Sequence, residues 1–168
     1  MTAEFLVERW EDQRTVKNLM GKYVNCLLLN RQGEIFDSFF SGREDVSLTF
    51  NDGSYIGPEA VRGYFSAIVE RNKLVAKLTQ QRFPEKLGGK TEEEIYGIGP
   101  FHVKPLTAPV IEVAEDGETA KGLWICMGCD AEVTECGPAA NWTWGYFAGD
   151  FVYENDHWKI WHLQYLND

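Results

Sequence analysis

The sequence predicts an α+β domain in two layers, with N-terminal helices packed on a C-terminal run of antiparallel strands. Three observations lead there. Up to about residue 70, apolar residues recur every three or four positions, as on a helix buried along one stripe. From Phe101 onward they recur every second position, as on a strand with one buried face. Short turn signals, Glu115-Asp116-Gly117-Glu118 and Glu154-Asn155-Asp156-His157, separate the later segments and make their neighbours antiparallel.

Residues 4–29 form the first helix of this reading. Val16, Leu19, Met20, Tyr23, Val24 and Leu27 make its apolar face, and Arg9, Glu11, Asp12, Arg14 and Lys17 suit solvent. Asn30 to Gly33 breaks the pattern, and Glu34 to Phe40 makes a second, short helix. Val46 to Phe50 reads as a strand turning at Asn51-Asp52-Gly53. Pro58 opens a third helix at a position where its missing N–H is not needed, with Val61, Tyr64, Phe65, Ile68 and Val69 inward. Residues 72–99 carry Pro84, Gly88 and Gly89 and little periodicity. They read as an irregular excursion, a candidate lid, in which Thr91 to Glu94 caps a short helical turn. Strands are expected at 101–104, 107–114, 119–133, 141–153 and 158–166. No repeat or linker divides the chain, so 1–168 reads as a single domain.

Acidic residues outnumber basic ones, 26 to 16, and the net charge is −10. Such a surface repels phosphate backbones and anionic lipid, which excludes nucleic acid and membranes as expected partners. The opening MTAEFLVERWEDQ has no basic flank leading into an apolar stretch, and the longest aliphatic run is Leu27 to Leu29. The expected location is therefore the cytoplasm. Cys126-Met-Gly-Cys129 is a C-x-x-C within a strand-like run, where residues three apart point to opposite faces. It reads as a pair of ordinary thiols, and no metal site is expected.

The aromatic residues gather near the C-terminus, in WTWGYFAGDFVY and WKIWHLQY. With Asn155-Asp156 as a two-residue turn and unbroken pairing, one face collects Phe147, Gly149, Phe151, Tyr153, Trp158, Ile160, His162 and Gln164. The other collects Trp142, Trp144, Tyr146, Ala148, Asp150, Lys159, Trp161, Leu163 and Tyr165. Both faces are apolar, so one packs on the helices and the other meets a second subunit or another layer. Gly145 and Gly149 are bend points that leave a hollow on the helix side. In this register His162 lies opposite Gly149, and Asp150 opposite Trp161 with Lys159 diagonal to it.

The chain resembles the SnoaL-like branch of the nuclear transport factor 2-like superfamily, which includes polyketide cyclases, scytalone dehydratase and the bile acid 7-alpha dehydratase. The resemblance rests on Gly21 to Cys26, Phe39-Phe40, Asp52 to Val61, Thr107 to Trp124, and Trp158 to Ile160. It implies a cone, a curved antiparallel sheet wrapped around three helices with a central pocket, and homo-oligomers, dimer or trimer, that meet through their sheets. It also implies enzymes that use no cofactor and move protons on a hydrophobic cyclic, polyketide or steroid-like molecule. His102 matches the family's acid/base and Tyr23 a substrate-contacting tyrosine, so these two are the candidate catalytic residues. Trp144, Trp161, Tyr165, His162, Asp150 and Trp124 are the candidate substrate contacts. The family's Asp after that tyrosine is absent, since Leu27 to Leu29 and Asn30 stand there. On the strand after Trp124, Asp130 is out of step with the expected acidic position. The sequence thus leaves His102 without a carboxylate partner. Three functions follow: a cofactor-free lyase or isomerase, dehydratase- or cyclase-like; a non-catalytic small-molecule-binding protein with the same pocket; or a purely structural or assembly role in which the aromatics serve only core and interface.

Overall fold

The computed structural model describes residues 3–167. Helix α1 (Ala3–Leu28) lays Val16, Met20 and Tyr23 against the sheet. A single 3-10 turn (Gln32–Glu34) leads into α2 (Ile35–Phe39), whose Ile35, Phe36 and Phe39 are buried. Two four-residue strands, β1 (Ser47–Phe50) and β2 (Gly53–Ile56), precede α3 (Pro58–Arg82), which has Pro58 in its first turn.

Helix α3 runs through the first part of the segment expected to be irregular. Its inner stripe there is Asn72, Val75, Ala76 and Thr79, all buried. Two of those four are polar, so the apolar periodicity fades although the helical spacing persists. Asn72 donates to Asn30 Oδ1 at 3.1 Å and to Gln32 Oε1 at 3.4 Å, and Gln32 donates to the Leu27 carbonyl at 3.1 Å. These bonds tie α3 to the end of α1. Two short helices follow, α4 (Pro84–Leu87) and α5 (Glu92–Ile95). Thr91 caps α5 in a capping box with Glu94, as its position predicts. Gln80 donates to the carbonyls of Leu87 and Lys90, and Ile95 is buried, so this stretch is strapped onto α3.

Strands β3 (Phe101–Val103), β4 (Leu106–Val113), β5 (Thr119–Thr134), β6 (Gly137–Glu154) and β7 (His157–Asn167) complete a curved, unclosed sheet. Its order is β2-β1-β7-β6-β5-β3, and β4 shares the outer edge of β5 with β3. Pairing is antiparallel except between β1 and β7. The chain thus has the expected α+β architecture, with helices on a curved sheet. Among the described residues, no helix is long and apolar enough to cross a membrane.

The β6–β7 hairpin turns at Asn155 and Asp156, both at positive φ (51° and 62°), as a two-residue turn requires. Pairing holds as far as Phe151 opposite Ile160, then slips, and Asp150 faces His162. Trp161 is the extra residue of a β-bulge, which reverses the faces expected beyond it. Leu163 and Tyr165 turn inward to join Phe147, Phe151 and Ile160, while His162 and Gln164 turn outward. Gly149 sits opposite Leu163 rather than His162. The space beside it is filled by Phe151, whose ring would lie about 3.0 Å from an added Cβ. Gly122, its neighbour on β5, is overlain in the same way by Trp124. The core therefore closes over these glycines, and no hollow opens at Gly149 on the helix side.

Candidate active site

The main cavity, about 680 Å³, opens at the other end of the sheet, where α3 and β1 face β3, β5 and β6. One wall is aromatic. Phe50 stacks on Tyr64 at 5.0 Å, Tyr55 meets Tyr64 at 4.7 Å, and Tyr165 approaches Phe50 at 5.6 Å. Burial, and then the nearby Asp52 and Tyr55, push the Tyr64 phenol well above its ordinary value, so it stays neutral. The opposite wall is polar and carries His102, Lys104, Asp130 and Asn141. Arg71 of α3 is ion-paired with Glu132 of β5, joining the two sides at the rim.

The polar wall follows from strand pairing. β3 lies antiparallel to the far end of β5, with His102 directly opposite Asp130. His102 Nδ1 is 2.9 Å from Asp130 Oδ1. Lys104 Nζ donates to the second oxygen, Asp130 Oδ2, at 2.6 Å and to Thr143 Oγ1 at 3.0 Å. Burial alone would raise the Asp130 carboxyl. The hydrogen bonds from His102 and Lys104 outweigh it and hold the group below the usual carboxylate range. An ionised Asp130 accepts from His102 Nδ1–H, which fixes the tautomer and leaves Nε2 with a free lone pair. A base oriented in this way beside an aromatic wall can take a proton from a bound ring compound.

Two of the residues expected to form the site line this cavity, His102 and Tyr165. The remaining six lie elsewhere. Tyr23 is fully buried among Phe39, Phe40 and Phe147, and its hydroxyl has no hydrogen-bond partner among the described residues. Trp124 fills the core against Phe151. Trp144 stands on the outer face of the sheet, 60% exposed. Asp150 and His162 flank a shallow outer groove. His162 Nδ1 is bonded to Ser47 Oγ at 2.9 Å. Trp161 donates to Asp45 and lies under Arg43. Lys159 reaches the carbonyls of Asp37 and Ser38 instead of pairing with Asp150. The bulge accounts for the outward turn of His162 and the inward turn of Tyr165.

The sequence reading missed Asp130, Lys104, Thr143 and the Phe50–Tyr55–Tyr64 wall. Asp130 had a usable signal. Strict alternation from Trp124 puts 126, 128 and 130 on one face, and the burial along β5 follows it up to Gly128. The same alternation sends Cys126 inward and Cys129 outward, as expected. No residue from 83 to 99 lines the cavity; the strapped segment packs on α3 instead.

No family model matches the sequence, and no curated protein matches it either. Solved structures do match. A candidate scytalone dehydratase from Novosphingobium aromaticivorans aligns with a TM-score of 0.68 at 13% identity, covering 97% of this chain and 88% of that one. Hexachlorocyclohexane dehydrochlorinase LinA-type3 from Novosphingobium barchaimii aligns with a TM-score of 0.65 at 12% identity, over 96% and 90%. A nuclear transport factor 2-like superfamily protein from Salmonella enterica aligns with a TM-score of 0.60 at 13% identity, over 92% and 89%. At these identities the likeness is one of fold.

Proposed function

On a nuclear transport factor 2-like fold, we propose that this protein is a lyase or isomerase, dehydratase- or cyclase-like, acting on a hydrophobic cyclic small molecule. The observation that carries the proposal is the His102 Nδ1 to Asp130 Oδ1 hydrogen bond of 2.9 Å in the wall of the cavity. It supplies the carboxylate partner that the sequence withheld and so weakens the binding-protein reading. His102 Nε2 takes a proton from a carbon next to a carbonyl and returns it to another carbon or to a leaving hydroxyl, steps that call for no cofactor. The ring of the ligand lies on Phe50, Tyr64 and Tyr165. Two structural neighbours are named for eliminations, which supports this reaction class.

The test is hydrogen–deuterium exchange at the α-carbon across a panel of cyclic ketones and hydroxy ketones, followed by NMR. The wild-type protein exchanges at least one of them, and His102→Ala does not while remaining folded. Ligand bound without exchange or product by the wild-type protein would establish the binding role instead.

The outer face of the sheet supports a homo-oligomer, dimer or trimer. Leu123, Ile125 and Met127 of β5 and Trp142, Trp144 and Tyr146 of β6 are exposed side by side, with Trp142 at 81%. A bare apolar surface of this kind is costly in water. In this proposal a second copy of the chain covers it.

A further inference from the structure

We propose that Lys104 is the residue that holds the substrate's carbonyl oxygen while His102 removes the neighbouring proton, so that the protein selects ring compounds bearing such an oxygen. This rests on the proton-transfer reading of the same cavity. The resemblance offered Tyr23 as the substrate-contacting hydroxyl, but that phenol is sealed in the core away from the cavity. The group that stands beside His102 is an ammonium. His102 and Lys104 leave the same edge of the sheet two positions apart and grip the two oxygens of one carboxylate.

Three features set Lys104 apart from a surface ion pair. Its side chain is only 12% exposed, although it lines the cavity. Its Nζ lies 5.3 Å from the centroid of the Tyr165 ring, on the wall where the ligand's ring would rest. Among the described residues two of its three N–H groups are taken, by Asp130 and Thr143, which leaves one donor. The strand makes room for it: a Cβ at Gly128 would meet Thr143 Oγ1 at 2.7 Å and Lys104 Cδ at 3.1 Å. Asp130 and Lys104 carry opposite charges, so the pair itself is neutral before a substrate binds. When the substrate's C–H bond breaks, its proton goes to His102 Nε2 and its electron pair becomes the enolate. The negative charge on oxygen then faces Lys104. In an elimination the enolate expels a β-hydroxyl, which leaves as water with the proton carried by His102. In an isomerisation that proton returns to a different carbon.

The experiment uses 2-naphthol as a stand-in for the enolate, a fused ring carrying one ionisable oxygen. Its naphtholate absorbance is followed against pH, free and bound to the full-length protein. Bound to the wild-type protein, naphthol ionises about 1–3 pH units lower than free naphthol, the effect of a cation close to the oxygen. Lys104→Met abolishes the downward shift while naphthol still binds, and Lys104→Arg restores part of it. Lys104→Gln, which keeps a donor without the charge, serves if the Met variant melts early. An unshifted naphthol on the wild-type protein, a shift that survives in both neutral variants, or no binding of naphthol at all would each overturn the assignment. None of these outcomes touches the proton-transfer reading, which stands or falls on deuterium exchange in His102→Ala.

Discussion

Two histidines sit on the same sheet, and each is bonded through Nδ1 at 2.9 Å. His102 is bonded to a carboxylate in the wall of a cavity, and His162 to the hydroxyl of Ser47 on the reverse face. The distances agree and the chemistry does not. An ionised carboxylate accepts from Nδ1–H and leaves Nε2 as the acceptor, and an aromatic wall lies within reach. A hydroxyl can donate as readily as accept, so it commits the ring to neither tautomer. His162 also stacks on Trp161 at 4.5 Å, which marks it as part of a surface. The residue type is uninformative here; the partner and the face decide.

That contrast breaks first at the two rings themselves. His102→Gln is expected to slow α-proton exchange by about 100- to 10,000-fold, the usual worth of a positioned general base. His162→Gln should leave the rate within a few-fold of wild type. Comparable losses in both, with melting temperatures unchanged, would mean that the cavity has been assigned to the wrong face. The outer face comes next. Replacing Trp142 and Trp144 together with Ser should weaken self-association by at least about 30-fold. Light scattering across a concentration series reads this directly, with exchange activity per folded chain as the control.

The difference between the faces depends on one bulge. Because Trp161 is the extra residue, its deletion should leave Asp150 opposite His162 and keep Leu163 and Tyr165 inside. The cost is then limited to Trp161's own contacts, chiefly the exposed hydrogen bond to Asp45, a small loss in a chemical melt. Unbroken pairing makes the opposite forecast. Under it, the deletion reverses every later side chain and the fold collapses.

This bulge also marks where the sequence stops being legible. Periodicity located the three main helices and each long strand, because 3.6 and 2 are properties of local backbone geometry. The Asn155-Asp156 turn fixed the hairpin as far as Phe151 and Ile160. Beyond that point a one-residue slip inverted the faces, and no local signal in Trp161-His162-Leu163 announces it. The site was hidden for a related reason. His102 and Asp130 are 28 positions apart and meet only through β3–β5 pairing, a non-local choice. Alternation from Trp124 could have placed Asp130 inward, yet nothing in the chain states which strand lies beside it. Helix α3 was cut short because its later inner stripe contains Asn72 and Thr79, residues that solvent would accept equally well.

A smaller effect separates the carboxylate from its surroundings. Hydrogen bonds hold Asp130 below its unfolded value, so its contribution to stability is present above the ordinary carboxylate range and is lost as pH falls through the folded value. Asp130→Asn should therefore flatten the acid limb of a stability profile measured from neutral pH down to about pH 3. If the limb keeps its slope, other carboxylates dominate it.

The smallest expected change is at Tyr23, and it separates a core tyrosine from a catalytic one. Burial pushes its phenol far above the ordinary value, and its hydroxyl is enclosed without a partner among the described residues. A buried unmade hydrogen bond costs stability, and removing the group removes that cost. Tyr23→Phe keeps the edge-on contacts with Phe39, Phe40 and Phe147, which depend on the ring. The variant should match the wild-type protein or exceed it by up to about 1 kcal/mol in a denaturant melt, with exchange activity unaltered. A large loss of activity at full stability would assign the substrate oxygen to Tyr23 and require the core to open around it. The closely packed rings that enclose the phenol oppose such an opening.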